Sequence, residues 1–207
     1  MREKCFVNLN NASATNRVAA SARARRNGHS GLVVWFTGLS GAGKTTLAVA
    51  LEQKLFDQGR QVYVLDGDWV RKGLCSYLGF DAASRTENIR RVGEVAMLFA
   101  DAGVIAIGAC ISPLRADRER IRKSCGPGKF VEVFVNAPLN VCERRDPKGL
   151  YAKARANLLK EFTGVSSPYE PPLQPEVELH TDQFGVEECL QQMLAAIEPR
   201  LSPAEHA

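Results

Sequence analysis

The sequence predicts an α/β fold, with a mostly parallel five-stranded sheet and helices on both faces. Three observations predict it. From residue 32 onward, short β-branched runs alternate with longer segments of helical periodicity. The first run, "LVVWFT", passes directly into the glycine-rich stretch "GLSGAGKTT", which opens a helical pattern. No internal repeat or linker interrupts the alternation after residue 31. Such alternation implies βαβ units, hence parallel strands covered on both faces.

The elements follow in order. Residues 32–37 read as a buried strand, and 44–58 as a helix with Leu47, Leu51 and Leu55 on one stripe, stopped by Gly59. "QVYVL" (61–65) is a second strand, running into Asp66-Gly67-Asp68. A long helix is expected over about 85–102, with Ser84 and Glu87 as a capping box. Ile89, Val92, Ala96 and Phe99 mark its core face, and Gly103 ends it. "VIAIGAC" (104–110) is the third strand, followed by Ile111-Ser112-Pro113 and the charged helix "RADRERIRK". "FVEVFVN" (130–136) is the fourth, and a basic segment of irregular character comes after it. "PEVELHT" (175–181) is a last short strand, and a final helix repeats apolar residues from Val186 to Ile197. Ligands bind at the carboxyl ends of the strands in such sheets, so Gly38, Asp66, Asp68 and Ser112 are expected to gather on one edge.

Bulk composition narrows the function classes. The 207 residues are 45% hydrophobic and 24% charged, an ordinary globular balance. Residues 1–30 hold six basic and one acidic side chain, whereas 31–207 hold 21 and 22. The body is therefore near neutral, with no case for nucleic-acid binding, and no apolar run approaches the roughly 20 residues that span a membrane. The six cysteines form no CxxC pair and no metal-ligand spacing, which reads as a reducing compartment, the cytoplasm, without structural disulfides. Residues 1–30 read as a disordered basic arm. Its Arg-rich, acid-poor composition leaves organelle import open.

"GLSGAGKTT" fits G-x-x-x-x-G-K-[ST], with Gly38, Gly43, Lys44 and Thr45 at the fixed places. Gly41, Ala42 and Thr46 complete the loop. Its glycines let backbone N–H groups turn toward phosphate oxygens, and the helix presents its first amides to the same anion. Lys44 is placed to reach the β- and γ-phosphates of a nucleoside triphosphate, and the Thr45 hydroxyl to ligate Mg2+. Two classes fit a triphosphate cradle: a small-molecule kinase, and a GTPase-like switch or nucleotide-gated module. No NKxD-type guanine-reading motif occurs late in the chain, and the basic segment around residues 146–155 suits a kinase lid that excludes water and supplies cations.

Four further stretches carry the acceptor. They are "LDGDWVRKGL" (65–74), "LGFDAASRTENIRRVGEVAMLFADAG" (78–103), "ISPLRADR" (111–118) and "RDPKGLYAKARANLLKEFTG" (145–164). With the loop, they closely resemble the adenylylsulfate kinase family over about residues 31–182. The resemblance implies a P-loop kinase fold, divided into the arm at 1–30 and a kinase domain at 31–200 with a lid at about 145–172. It implies ATP- and Mg2+-dependent phosphorylation of the ribose 3′-hydroxyl of adenosine 5′-phosphosulfate, giving 3′-phosphoadenylyl sulfate and ADP. A kinase for another small nucleotide or sugar, and an idle nucleotide-binding partner of a sulfurylase, are the alternatives. A homodimer and a sulfurylase partner are left open.

The resemblance also assigns residues. Asp68 is expected near the acceptor hydroxyl, where a carboxylate orients it or takes its proton. Asp66 is expected close to magnesium and its water. Arg71 and Arg85 match the family's substrate-binding arginines, with Asn88 one helical turn from Arg85. Phe80 and Phe162 match aromatics that sandwich the substrate adenine. Ile111 and Ser112 match a turn beneath the substrate, Ser112 having a binding role first and a covalent role second. Lys148 matches a lid lysine that contacts substrate. The sequence departs from the family pattern at Trp69, Lys72, Cys75, Ala109, Cys110, Asn157 and Leu158, and Trp69 and Cys110 are expected to reshape the pocket floor.

Overall fold

Every residue of the first strand, β1 (Leu32–Thr37), is buried, because the strand lies at the centre of the sheet and is covered on both sides. The computed structural model describes residues 18–202. Its five strands are β1, β2 (Val62–Asp66), β3 (Ile105–Ala109), β4 (Phe130–Asn136) and β5 (Val177–His180), in the order β2-β3-β1-β4-β5. All four pairings are parallel, so the sheet is wholly parallel.

Side-chain alternation along β1 divides the core in two. Leu32, Val34 and Phe36 face one layer, packed with Leu47, Leu51 and Leu55 of α2 (Lys44–Asp57) and with the last helix among the described residues, Val186–Leu201. Val33 and Trp35 face the other, against Ile89, Val92 and Ala96 of the long helix Ala82–Asp101 and Ile121 of the helix Arg115–Cys125. Each of the Leu, Val, Ile and Phe side chains contributes about 1.5–3 kcal/mol when fully buried.

The structure departs from the sequence reading in three places. The long helix begins at Ala82, and its cap is Asp81. The Asp81 carboxylate accepts from the Ser84 N–H at 3.0 Å and from the Ser84 hydroxyl at 2.6 Å, so Ser84 lies inside the first turn. Glu87, the expected capping partner, turns instead to Arg90 and Arg91, which hold its carboxyl down at about 2. The basic segment is not irregular throughout. It folds into the short helices Leu139–Arg145 and Leu150–Arg155, and Asp146 between them accepts from the N–H groups of Leu150, Tyr151 and Ala152. Finally, part of the expected disordered arm, Ala20–Asn27, is a helix, α1, anchored by the Asn27 side-chain amide on the Gly103 carbonyl at 3.0 Å. Residues 1–17 of that arm lie outside the described residues.

Candidate active site

The loop between β1 and α2 is shaped by what its glycines must pass. Gly38 has a φ of 144°, and a Cβ there would strike the Val135 carbonyl of β4. Gly41 has a φ of 76°, with the Cys142 carbonyl 2.9 Å from where a Cβ would stand. The chain therefore folds back tightly over the ends of β1 and β4. Within the fold, Lys44 is buried, and its ammonium donates to the carbonyls of Gly38 at 2.9 Å and Leu39 at 2.7 Å. Burial lowers its pKa from 10.5 to about 8. A buried cation at the start of α2, beside N–H groups that the helix cannot pair, makes a site for a multiply charged anion.

Asp66 closes β2 and faces that loop. One carboxylate oxygen accepts from the Thr45 hydroxyl at 2.9 Å, and the other from the Asp68 N–H at 2.9 Å, capping the short helix α3 (Gly67–Val70). Asp68 is exposed, and its carboxylate pairs with Lys148 of the lid. The Thr45 hydroxyl and the Asp66 carboxylate are hard oxygen donors, the kind Mg2+ takes. Among the described residues, no group of three or more His, Cys, Asp or Glu could hold a metal alone. The donor set therefore suits a magnesium ion that completes its shell with phosphate oxygens and water.

The acceptor side is built from α4, the long helix Ala82–Asp101, and from the lid. Arg85 donates to the Glu161 carbonyl at 2.8 Å, to Thr163 Oγ1 at 3.3 Å and to Ser167 Oγ at 3.3 Å, so it ties α4 to the returning lid. Arg71 donates to the carbonyls of Leu78 and Gly79, with its guanidinium 4.4 Å above the Phe80 ring. Asn88 is buried, and its side-chain oxygen has no hydrogen-bond partner in the protein. Phe162 is half-buried and meets Tyr151 edge-on at 5.0 Å, while Phe80 is 70% exposed at the rim. The two rings thus differ in setting: one is anchored in the lid, the other carried by an arginine.

These groups share one cleft of about 1600 Å³ across the carboxyl ends of the strands. It is lined by Gly41, Gly43, Lys44, Thr45, Thr46, Asp66, Asp68, Arg71, Phe80, Arg85, Asn88, Ile111, Ser112, Lys148 and Phe162. Gly38 and Ala42 stand behind its wall, their carbonyls accepting from Lys44 and from the Thr181 hydroxyl. Of the departures from the family pattern, Cys110 lies under Gly67, where burial pushes its thiol up to about 12 and leaves it unreactive at neutral pH. Trp69 is 74% exposed at the rim, with Lys72 4.9 Å above its ring. Arg145, a cation of the expected lid, lines the cleft and donates to Gly41 O and to Thr181. Sequence reasoning missed the groups that brace the cleft from behind, where the Tyr151 hydroxyl donates to Ser40 O, and Trp35, Arg118 and Tyr169 surround the Ser112 turn.

A family model described as adenylylsulphate kinase matches residues 30–180, most of the described fold and the cleft residues from Gly41 to Phe162. The chain belongs to that family. An adenylyl-sulfate kinase of Aeromonas hydrophila is 57% identical over 184 residues, which cover 89% of this chain and 93% of that one. An adenylyl-sulfate kinase of Geotalea daltonii is 57% identical over 176 residues, covering 85% and 87%. Among solved structures, the Mycobacterium tuberculosis APS kinase CysC in complex with AMPPNP and APS superposes with a TM-score of 0.78 at 47% identity. That alignment covers 82% of this chain and 98% of the other. As a member of the adenylylsulphate kinase family, the chain is a P-loop kinase and a phosphotransferase. Among its described residues, no helix is long and apolar enough to cross a membrane.

Proposed function

We propose that the cleft transfers the γ-phosphoryl group of ATP to the ribose 3′-hydroxyl of adenosine 5′-phosphosulfate, releasing 3′-phosphoadenylyl sulfate and ADP. One observation carries the reading: Lys44 and Asp68, from opposite sides of the transfer, open on the same cleft as Arg71, Arg85, Asn88 and Phe162. The related Mycobacterium kinase, described in complex with AMPPNP and APS, supports the same pair of substrates here.

The loop amides and Lys44 cradle the triphosphate and balance charge on the transferring group, the main requirement of a loose phosphoryl transfer. Bound at Thr45 and Asp66, Mg2+ would neutralise phosphate charge. Asp68 accepts the proton of the attacking 3′-hydroxyl, or orients it in line. Lys148 is the Asp68 counter-ion and brings a lid cation to the point of transfer. Arg71 and Arg85 face the phosphosulfate anion. Phe80 and Phe162 offer flat apolar faces to the adenine, and Asn88 a buried acceptor for its amino group. We read the cytoplasm as the compartment, since the five cysteines among the described residues are all free.

The deciding experiment is a panel of nucleotide and sugar acceptors with ATP, each product identified by mass. Phosphorylation of adenylylsulfate is the expected outcome. Turnover of a different acceptor alone would redirect the reading to that substrate.

A further inference from the structure

Behind the acceptor side, one buried cation joins two parts of the site that are far apart in sequence. Arg118 is 2% exposed. Its guanidinium donates to Glu132 Oε1 at 2.6 Å, to the Ser112 carbonyl at 2.6 Å and to the Glu170 carbonyl at 2.7 Å. The first contact anchors it to β4, the second holds the cleft floor, and the third holds the returning end of the lid. Its Cζ lies 5.8 Å from the Tyr169 ring centre.

The floor turn needs such support. Ser112 has a φ of 40°, a left-handed conformation that side chains with a Cβ rarely adopt. Its hydroxyl is buried, accepting from Trp35 Nε1 at 3.1 Å and donating to the Cys110 carbonyl at 3.4 Å. Thr37 donates to the Ile111 carbonyl at 2.8 Å, so its single proton is taken and the Tyr169 hydroxyl donates to it at 2.9 Å. The Trp35 indole reaches the turn by lying across Gly108, where a Cβ would come within 2.6 Å of the ring. The lid is stitched on from its own side, with Glu170 N–H on Pro113 O at 2.9 Å and Arg115 N–H on Glu170 Oε2 at 2.8 Å.

We propose that Arg118, with Tyr169 and Trp35, is a positioning residue that sets the Ser112 turn and the lid's return in one frame and so shapes the acceptor pocket. The Ser112 hydroxyl is the keystone of that turn, accepting from Trp35 and donating to Cys110 O inside the protein. None of these Arg118 hydrogen bonds goes to the ATP loop, which meets the turn only at its edge through Gly38 N–H on Ile111 O at 3.5 Å, so the effect falls mainly on the acceptor. This rests on the assignment of adenylylsulfate as acceptor.

The test is Arg118→Lys, which keeps a cation for Glu132 but whose single nitrogen cannot span the three acceptors that Nε, Nη1 and Nη2 reach separately. Misplacing the pocket is expected to raise KM for adenylylsulfate about tenfold while KM for ATP stays within about threefold. Amide hydrogen exchange is expected to quicken at residues 111–113 and 160–170, with 39–46 unchanged. Tyr169→Phe, which removes one hydroxyl, is expected to move both readouts the same way by less. Equal shifts in both KM values, exchange that quickens everywhere, or no change in a folded Arg118→Lys protein would each overturn the proposal. Wild-type enzyme that ignores adenylylsulfate would refute the acceptor assignment, and the exchange comparison would still judge Arg118.

Discussion

The Lys148 ammonium meets the Asp68 carboxylate, joining the lid to the end of β2 across the mouth of the cleft. Both side chains are more than half exposed, at 51% and 62%. An ion pair so open to water contributes at most about 1 kcal/mol to stability. Its location, and not its strength, gives it a role.

Lys148→Ala is therefore expected to leave the melting temperature within a few degrees, since about 1 kcal/mol shifts a domain of this size by roughly 2–4 °C. Loss of a cation at the transferring group is expected to lower kcat/KM by about tenfold or more. Thermal unfolding and steady-state kinetics on the same preparation separate the two effects. A large fall in melting temperature with normal turnover would make Lys148 structural.

Asp68→Asn keeps shape and removes charge. A lost general base costs roughly 10²–10⁴ in kcat, while ATP affinity should stay within about threefold. The check is single-turnover kinetics beside direct ATP titration. Collapse of ATP affinity with kcat preserved would move Asp68 to the nucleotide side.

Lys44 makes a pH-dependent prediction. Burial holds its pKa at about 8, below its ordinary 10.5. Between those values the unfolded chain keeps the proton that the folded protein releases. The contribution of this group to stability therefore rises with pH across that window. ATP phosphates favour the ammonium form, so binding near pH 8 should take up about half a proton per site, and affinity should weaken as pH climbs further. Calorimetry in buffers of different ionisation enthalpy measures the uptake. Zero uptake at pH 8, with ATP bound normally, would show that Lys44 is already fully charged.

Phe162 tests the acceptor's adenine. Stacking on an aromatic is worth about 1–3 kcal/mol per base, so Phe162→Ala should raise KM for adenylylsulfate about tenfold or more. Phe162 also packs on Tyr151, whose hydroxyl holds the Ser40 carbonyl of the ATP loop. Phe162→Leu keeps much of that packing and should show the same acceptor defect, with KM for ATP within about threefold. Matching defects toward both substrates in both variants would assign Phe162 to the fold alone.

Much of the molecule was legible before any coordinates. The inner strands β1, β3 and β4 were readable because β-branched runs at a sheet centre are buried on both faces and so appear unbroken. The loop from Gly38 to Thr46 was readable because a backbone turned around phosphate admits few residues. Asp81 in place of Ser84 as cap shows the limit at helix ends: two short polar side chains three residues apart offer the same local chemistry, and only the path of the preceding loop selects one. The helices at Leu139–Arg145 and Leu150–Arg155 were hidden because each is too short to show a period and is held by Asp146 and by tertiary packing.

Arg118 shows what sequence alone could not reach. Within "RADRERIRK" it is one of several cations on a charged helix and resembles a solvated face. Its burial depends on Glu132 from β4, Ser112 from the end of β3 and Glu170 from the lid, three segments that the chain brings together only when folded. Sequence by itself determined the parallel α/β class, the triphosphate cradle and the family, because local backbone requirements and side-chain chemistry are written in adjacent residues. Tertiary structure alone decided which charges are buried, which arginine braces the floor and which carboxylate the lid lysine meets, because those choices depend on contacts between residues distant along the chain.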